Sequence, residues 1–148
     1  NIKNVNYMNL VLAEEEVRGH AEHPWAVLLD TRGFLCEGIG SNIFLVRDGK
    51  LSTPRSQFVL EGVSRQIVIE LADSLGIPVS EEDLTTFQAE TADEAFMTST
   101  SLCLCPARSY NGRTLGDGEV PGPITAKLTE AFAELVDHDF VNQYLRTL

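Results

Sequence analysis

The chain contains three lysines, Lys3, Lys50 and Lys127. Lys50 follows an Asp48-Gly49 turn and Lys127 falls on a helix surface, so both read as solvated. Lys3 stands just before a helical pattern, beside Asn6 and Tyr7. It is either a frayed terminal lysine or an amine with a pKa lowered by partial desolvation, able to attack carbonyls. Glu37 follows Phe34-Leu-Cys36 and precedes Gly38-Ile-Gly40-Ser41-Asn42. A carboxylate at a strand end, beside glycines that let backbone approach a bound group, suits a cationic or protonated ring. An exposed glutamate on a bulged turn fits the same residues. The glycine pair is not the dinucleotide fingerprint, which needs a third glycine opening a helix.

Leu60-Glu61-Gly62-Val63-Ser64-Arg65 enters the clearest helical pattern of the chain. Free N–H groups and the helix dipole at such an N-terminus attract an anion, and Ser64 can add its hydroxyl. Ser64 as an ordinary N-cap is equally compatible. Thr98-Ser99-Thr100-Ser101 is a hydroxyl run after a strand, suited to a phosphate or carboxylate or simply to a polar loop. His20 and His23 flank Glu22 near a helix end broken by Pro24, a poor metal site, and no metal is expected. Glu14-Glu15-Glu16 and Glu81-Glu82-Asp83 read as solvated faces.

These residues need elements to hold them. The spacing predicts a helix over 7–20, with Tyr7, Leu10, Val11 and Val17 on one stripe and a Glu14–Arg18 pair. Strands are expected over 26–30, 34–37, 42–47 and 50–53, with Thr31-Arg-Gly33 as a turn and Asp48-Gly49 as a hairpin. A helix over 64–75 carries Ile67, Val68, Leu71 and Leu75, and Gly76 stops it. Then come a strand over 77–80, an extended piece over 84–87, a helical turn over 91–94 and strands over 95–99 and 102–109. Asn111-Gly112 turns, residues 117–123 form a loop, and a last helix spans 123–136 with Pro123 at its start. Hairpins between strands disfavour an all-parallel sheet. The expected class is α+β: a mixed, largely antiparallel sheet or pseudo-barrel with flanking helices.

The 148 residues suffice for one domain, and 43% hydrophobic with 22% charged is a globular balance. The net charge of −11, with only 11 Lys and Arg, speaks against nucleic-acid binding. No apolar run approaches the ~20 residues of a membrane span, and no signal-peptide pattern opens the chain. Cys36, Cys103 and Cys105 are an odd set inside apolar runs, which reads as reduced thiols in a cytoplasmic protein. The chain opens without Met.

In order, these segments resemble the class IV (fold type IV) pyridoxal-phosphate aminotransferases. That family includes branched-chain and D-amino acid aminotransferases and aminodeoxychorismate lyase. The resemblance runs from Lys3-Asn-Val-Asn6-Tyr7 through Glu37-Gly-Ile-Gly40-Ser-Asn42-Ile-Phe44, Leu60-Glu-Gly62-Val-Ser64-Arg65 and Phe96-Met-Thr98-Ser-Thr100 to Gly122-Pro123. It implies the D-amino acid aminotransferase-like fold and pyridoxal 5'-phosphate as cofactor. By resemblance, Lys3 is the catalytic lysine that links to the cofactor and later moves the proton on the substrate carbon. Glu37 keeps the ring nitrogen protonated, and Tyr7 stands near the phenolic oxygen. Val63, Ser64 and Thr100 cradle the phosphate, with further cofactor contacts at Asn42, Leu60, Gly62 and Ser99. Thr100 and Ser101 meet the substrate carboxylate.

The two residues between Lys3 and Asn6 match the D-amino acid branch, and Tyr7 matches the branched-chain branch. The leading expectation is a ping-pong transaminase acting on a branched-chain amino acid and a 2-oxo acid. Alternatives are a D-amino acid or amine transaminase, the lyase, or a domain that keeps the fold without activity. The resemblance also implies a homodimer, and a smaller N-terminal domain preceding this lysine that supplies a phosphate-binding arginine. The 148 residues are then the C-terminal, cofactor-binding domain, expected to bind cofactor weakly when alone.

Overall fold

The computed structural model describes residues 6–146. A seven-stranded sheet organises it: β1 (Val27–Leu29), β2 (Leu35–Gly38), β3 (Ser41–Arg47), β4 (Lys50–Pro54), β5 (Val79–Glu82), β6 (Glu94–Ser99) and β7 (Cys103–Ala107). Only the β4–β5 pair is parallel; the others are antiparallel. The mixed, largely antiparallel sheet read from the hairpin signals is therefore present. Leu35 N–H donates to Leu84 O at 2.7 Å, which curls the end of β5 onto β2 without closing a barrel.

The sheet forks at β3. One edge of β3 pairs with β6 along Asn42–Val46. Its other edge is shared, with β2 at Ser41 and Asn42 and β4 at Leu45–Arg47. Between the two partners the ladder runs out, and the buried Thr53 hydroxyl donates to the Ile43 carbonyl at 2.8 Å. A buried carbonyl left unpaired there would be costly. The fork opens the space in which the candidate site residues gather.

On one face of the sheet, Phe44, Val46, Phe96 and Leu104 pack under α2 (Val63–Ser74) and α4 (Pro123–Leu135). Phe44 and Phe96 are cross-strand partners with stacked rings 5.0 Å apart. α2 buries Val68 and Ala72. Leu75, expected on the same stripe, is its exposed C-cap. Gly76 at φ 69° lets its N–H reach Asp73 O and the Ile77 N–H reach Ala72 O, a Schellman stop that needs a left-handed residue. At α4, the Glu94 carboxylate accepts from Ile124 N–H at 2.9 Å and Thr125 N–H at 2.8 Å. A second cluster, including Leu35, Ile43, Leu45, Leu84 and Met97, forms another part of the core.

Several local expectations change. α1 covers Met8–Val17 and buries no residue; Leu10 and Val17 are half-buried, while Tyr7 and Val11 are exposed. Arg18 pairs with Glu15 at 2.7 Å rather than with Glu14. The expected extended piece at 84–87 gives way to α3 (Thr86–Glu90), because Thr85 and Gln88 form a capping box. The helical turn expected at 91–94 is displaced: α3 ends at Glu90, and Glu94 already belongs to β6. The strand expected over 102–109 is divided into β7 and β8 (Ser109–Tyr110), the latter paired with β9 (Arg113–Thr114) around Asn111-Gly112. α5 (Phe140–Leu145) has no counterpart in the sequence reading; Asp139 caps it and Phe140 packs edge-on against Phe132. Among the described residues no helix is long and apolar enough to cross a membrane.

Candidate active site

The polar end of the sheet face lies where Phe44 and Phe96 give way to Asn42 and Thr98. Asn42 is the cross-strand partner of both Glu37 and Thr98, so the three residues stand in one row. Gly40, at φ 72°, lies in the tight connection that brings β2 back as β3. Glu37 is thus paired in the β2–β3 hairpin, while on the β1 side the register shifts between the pairs Val27–Gly38 and Leu29–Leu35, so the stretch that carries Glu37 is irregular there.

Residues 55–62, which connect β4 to α2, cross the open fork and are stitched to that row. Glu37 Oε2 accepts from the Leu60 N–H at 2.9 Å, and Asn42 Nδ2 donates to the Leu60 carbonyl at 2.8 Å. Cys36 donates its thiol proton to Phe58 O at 2.8 Å, and burial, then the charge of Glu37, pushes the thiol pKa up. Gly62 passes so close to β3 that a Cβ there would stand 2.3 Å from Asn42 Oδ1. The expected solvated face at 81–83 is a correction. Glu81 accepts from Arg65 Nη2 at 2.7 Å and from Ser56 N–H at 3.1 Å. Asp83 accepts from Arg32 and lies 3.5 Å from Arg55. The Arg32 guanidinium also lies 3.9 Å from the centre of the Phe58 ring.

A cleft of about 480 Å³ results. Tyr7, Glu37, Asn42, Leu60, Gly62, Val63, Ser64, Ser99 and Thr100 all line it, so nine of the residues singled out from the sequence come together. Ser101 does not line it; its hydroxyl is 3.1 Å from that of Ser99. Lys3 lies outside the described residues. Arg65, Thr98 and Phe58 also line the cleft and had no assigned role in the sequence reading. The Arg65 of the Val-Ser-Arg motif was visible there, but its direction was not.

Charge is distributed asymmetrically in this cleft. At one end is the Glu37 carboxylate. At the other, the first helical bond of α2 runs from Gln66 N–H to Gly62 O at 3.0 Å, leaving the amides of Val63, Ser64 and Arg65 without intrahelical acceptors. The Ser64 hydroxyl donates to the Ser99 carbonyl at 2.9 Å, holding the helix start against the hydroxyl-rich turn after β6. Thr98 Oγ1 and Arg65 Nε, both buried in cleft-lining residues, have no protein partner. Such a cleft accepts an anion at the α2 end and a protonated nitrogen at the Glu37 end. Among the described residues no cluster of His, Cys, Asp and Glu is arranged to hold a metal ion.

Comparison with known proteins agrees with this geometry. The branched-chain-amino-acid aminotransferase of Pseudomonas aeruginosa is 38% identical over 131 residues, which is 88% of this chain and 42% of the relative. The crystal structure of the Escherichia coli branched-chain amino acid aminotransferase superposes with a TM-score of 0.82 at 38% identity, covering 88% of this chain and 43% of that one. A T.th. branched-chain amino acid aminotransferase, solved with pyridoxamine 5'-phosphate, gives 0.81 at 39% identity, with 88% and 43% covered. The chain thus spans less than half the length of these relatives. The family model described as amino-transferase class IV matches residues 1–110, and the chain belongs to that family.

Proposed function

We propose that the chain is the C-terminal, cofactor-binding domain of a pyridoxal 5'-phosphate-dependent transaminase. The full protein exchanges an amino group between a branched-chain amino acid and a 2-oxo acid such as 2-oxoglutarate. The observation that carries this reading is the bipolar cleft, with Glu37 at one end and the open N-terminus of α2 at the other. The unpartnered Thr98 Oγ1 and Arg65 Nε and the open amides at the start of α2 fit a polar, phosphorylated ring. The names of the relatives, and the pyridoxamine 5'-phosphate of the T.th. structure, support the same group.

When bound, pyridoxal 5'-phosphate supplies a ring that takes up the electron pair left on the substrate carbon. The protein residues do the rest. Glu37 would keep a proton at the ring nitrogen through Oε1, while Oε2 stays on the Leu60 amide. The Val63 and Ser64 amides and the Thr100 segment would bind the phosphate, with Gly62 seating the start of α2 close against Asn42. Tyr7, Leu60 and Asn42, which line the cleft, would hold the ring in place. Lys3 would carry the covalent link to the cofactor and move the proton at the substrate carbon. Of the other lysines, Lys50 and Lys127 are exposed and neither lines the cleft. Thr100 and Ser101 receive the substrate carboxylate. A cytoplasmic homodimer, completed by a domain preceding Lys3, is the setting this reading implies.

Borohydride reduction of the full-length holoenzyme, followed by peptide mapping, tests the assignment. A pyridoxyl group on Lys3 is expected, and one on another lysine overturns it. An amino-donor panel tests the substrate: no turnover of leucine, isoleucine or valine overturns the branched-chain assignment.

A further inference from the structure

Arg65 breaks a rule of helix construction. With Gly62 as N-cap, it occupies the third position of α2, inside the first turn. A cation there opposes the positive end of the helix dipole, and the capping preference at that position is Glu or Gln. Yet the side chain is only 2% exposed. Its Nη2 donates to Pro54 O at 3.0 Å and to Glu81 Oε2 at 2.7 Å. The same carboxylate oxygen accepts from the Ser56 N–H. Glu81 thus ties both ends of residues 55–62 together: Ser56 where the loop leaves β4, and Arg65 where the loop has become helix. Glu81 is placed for this by the parallel register that sets it opposite Thr53.

We propose that Arg65 and Glu81 are positioning residues for the phosphate end of the cleft. Glu81 holds the buried guanidinium, the guanidinium fixes the base of loop 55–62, and the loop sets where the Val63 and Ser64 amides stand. A local conflict of this kind, kept in the fold at a cost to helix stability, is expected at a functional site. The buried Nε–H without a partner points the same way, since an unsatisfied buried donor is destabilising in the absence of an acceptor. This inference rests on the pyridoxal 5'-phosphate reading above and assigns that site's phosphate selectivity.

The test measures equilibrium binding of pyridoxal 5'-phosphate and of pyridoxal, which lacks the phosphate, to the full-length protein. The readout is the ratio of the two dissociation constants, which a uniform loosening of the fold leaves unchanged. Arg65→Gln is expected to lower the preference for the phosphorylated form roughly tenfold or more, because the Val63 and Ser64 amides lose the charged hydrogen-bond anchor that places them. Arg65→Lys should restore part of it. Glu81→Gln, at a half-exposed site, should lower it several-fold. A ratio unchanged in Arg65→Gln, or unchanged or raised in Glu81→Gln where the first variant does not fold, overturns the proposal. A wild-type protein with no preference for the phosphorylated form overturns the cofactor reading and this inference together.

Discussion

Glu37 and Leu60 are joined by a 2.9 Å hydrogen bond from the Leu60 amide to Oε2 of the carboxylate. They are 23 residues apart, one on the hairpin β2–β3 and one in the loop that enters α2. One oxygen of Glu37 therefore holds the loop, and the other has no protein partner among the described residues. The same peptide is held from its carbonyl side by Asn42, so the anion end and the carboxylate end of the cleft share one rigid link.

Glu37→Gln separates the two roles of this side chain. The amide oxygen still accepts from Leu60 N–H, so the fold and cofactor affinity should change little. On the proposed function, the charge that would keep the ring nitrogen protonated is lost, and kcat should fall about 10²–10³-fold, as for removal of one partner of a developing charge. Steady-state kinetics and a thermal melt on the same full-length variant check both halves.

Gly62→Ala tests the close approach of loop and strand. The added Cβ would stand 2.3 Å from Asn42 Oδ1, so Asn42 must move and its bond to Leu60 O is broken. Pyridoxal 5'-phosphate affinity should fall about tenfold or more, and stability by about 1–3 kcal/mol. Denaturant unfolding and a cofactor titration measure the two effects.

Glu94→Ala removes the carboxylate that accepts from Ile124 and Thr125 at the start of α4. Two amides lose a charged partner in a buried setting, and the destabilisation should be about 2–3 kcal/mol. Gly122→Ala should act at the same place, because its Cβ would meet the Glu94 carboxyl carbon at 2.4 Å. Hydrogen exchange of the α4 amides should accelerate in both variants. Unchanged protection would refute the capping role.

The Cys36 thiol gives a pH prediction. Burial first, and then the charges of Glu37 and Asp30, raise its pKa above the ordinary 9.0. The folded state favours the protonated thiol, which donates to Phe58 O. Its contribution to stability is therefore complete below pH 9.0 and is lost as the pH rises through the elevated folded value. Iodoacetamide should label Cys36 more slowly in the folded protein than in the urea-unfolded chain at about pH 8. Equal rates would contradict the assignment.

Local grammar was legible in the residues themselves. Asp48-Gly49 and Asn111-Gly112 turn where their left-handed preferences demand, and Gly76 ends α2 by the same physics. The order Glu37, Gly62-Val-Ser64, Thr98–Thr100 carried most of the cleft, since strand ends and a helix start are local features. Thr85 and Gln88 were also legible as a capping box, but the apolar character of Leu84–Phe87 masked it. α1 was misjudged differently. Its apolar residues follow helical spacing, yet nothing among the described residues covers them, and periodicity alone does not name a partner.

The sequence by itself determined the α+β class, the hairpin strands β2 to β4, the helices α2 and α4, and the chemical types at the two ends of the cleft. Only the tertiary structure decided that Glu81 and Asp83 are anchors and not a solvated face, that Arg65 turns inward, and that Ser101 stands off the cleft lining. The reason is the fork at β3. Short-range preferences dictate what each segment becomes, but which segments share an edge is a non-local packing outcome. It is there that a carboxylate of β5 finds a guanidinium of α2 and that the Leu60 peptide meets both Glu37 and Asn42.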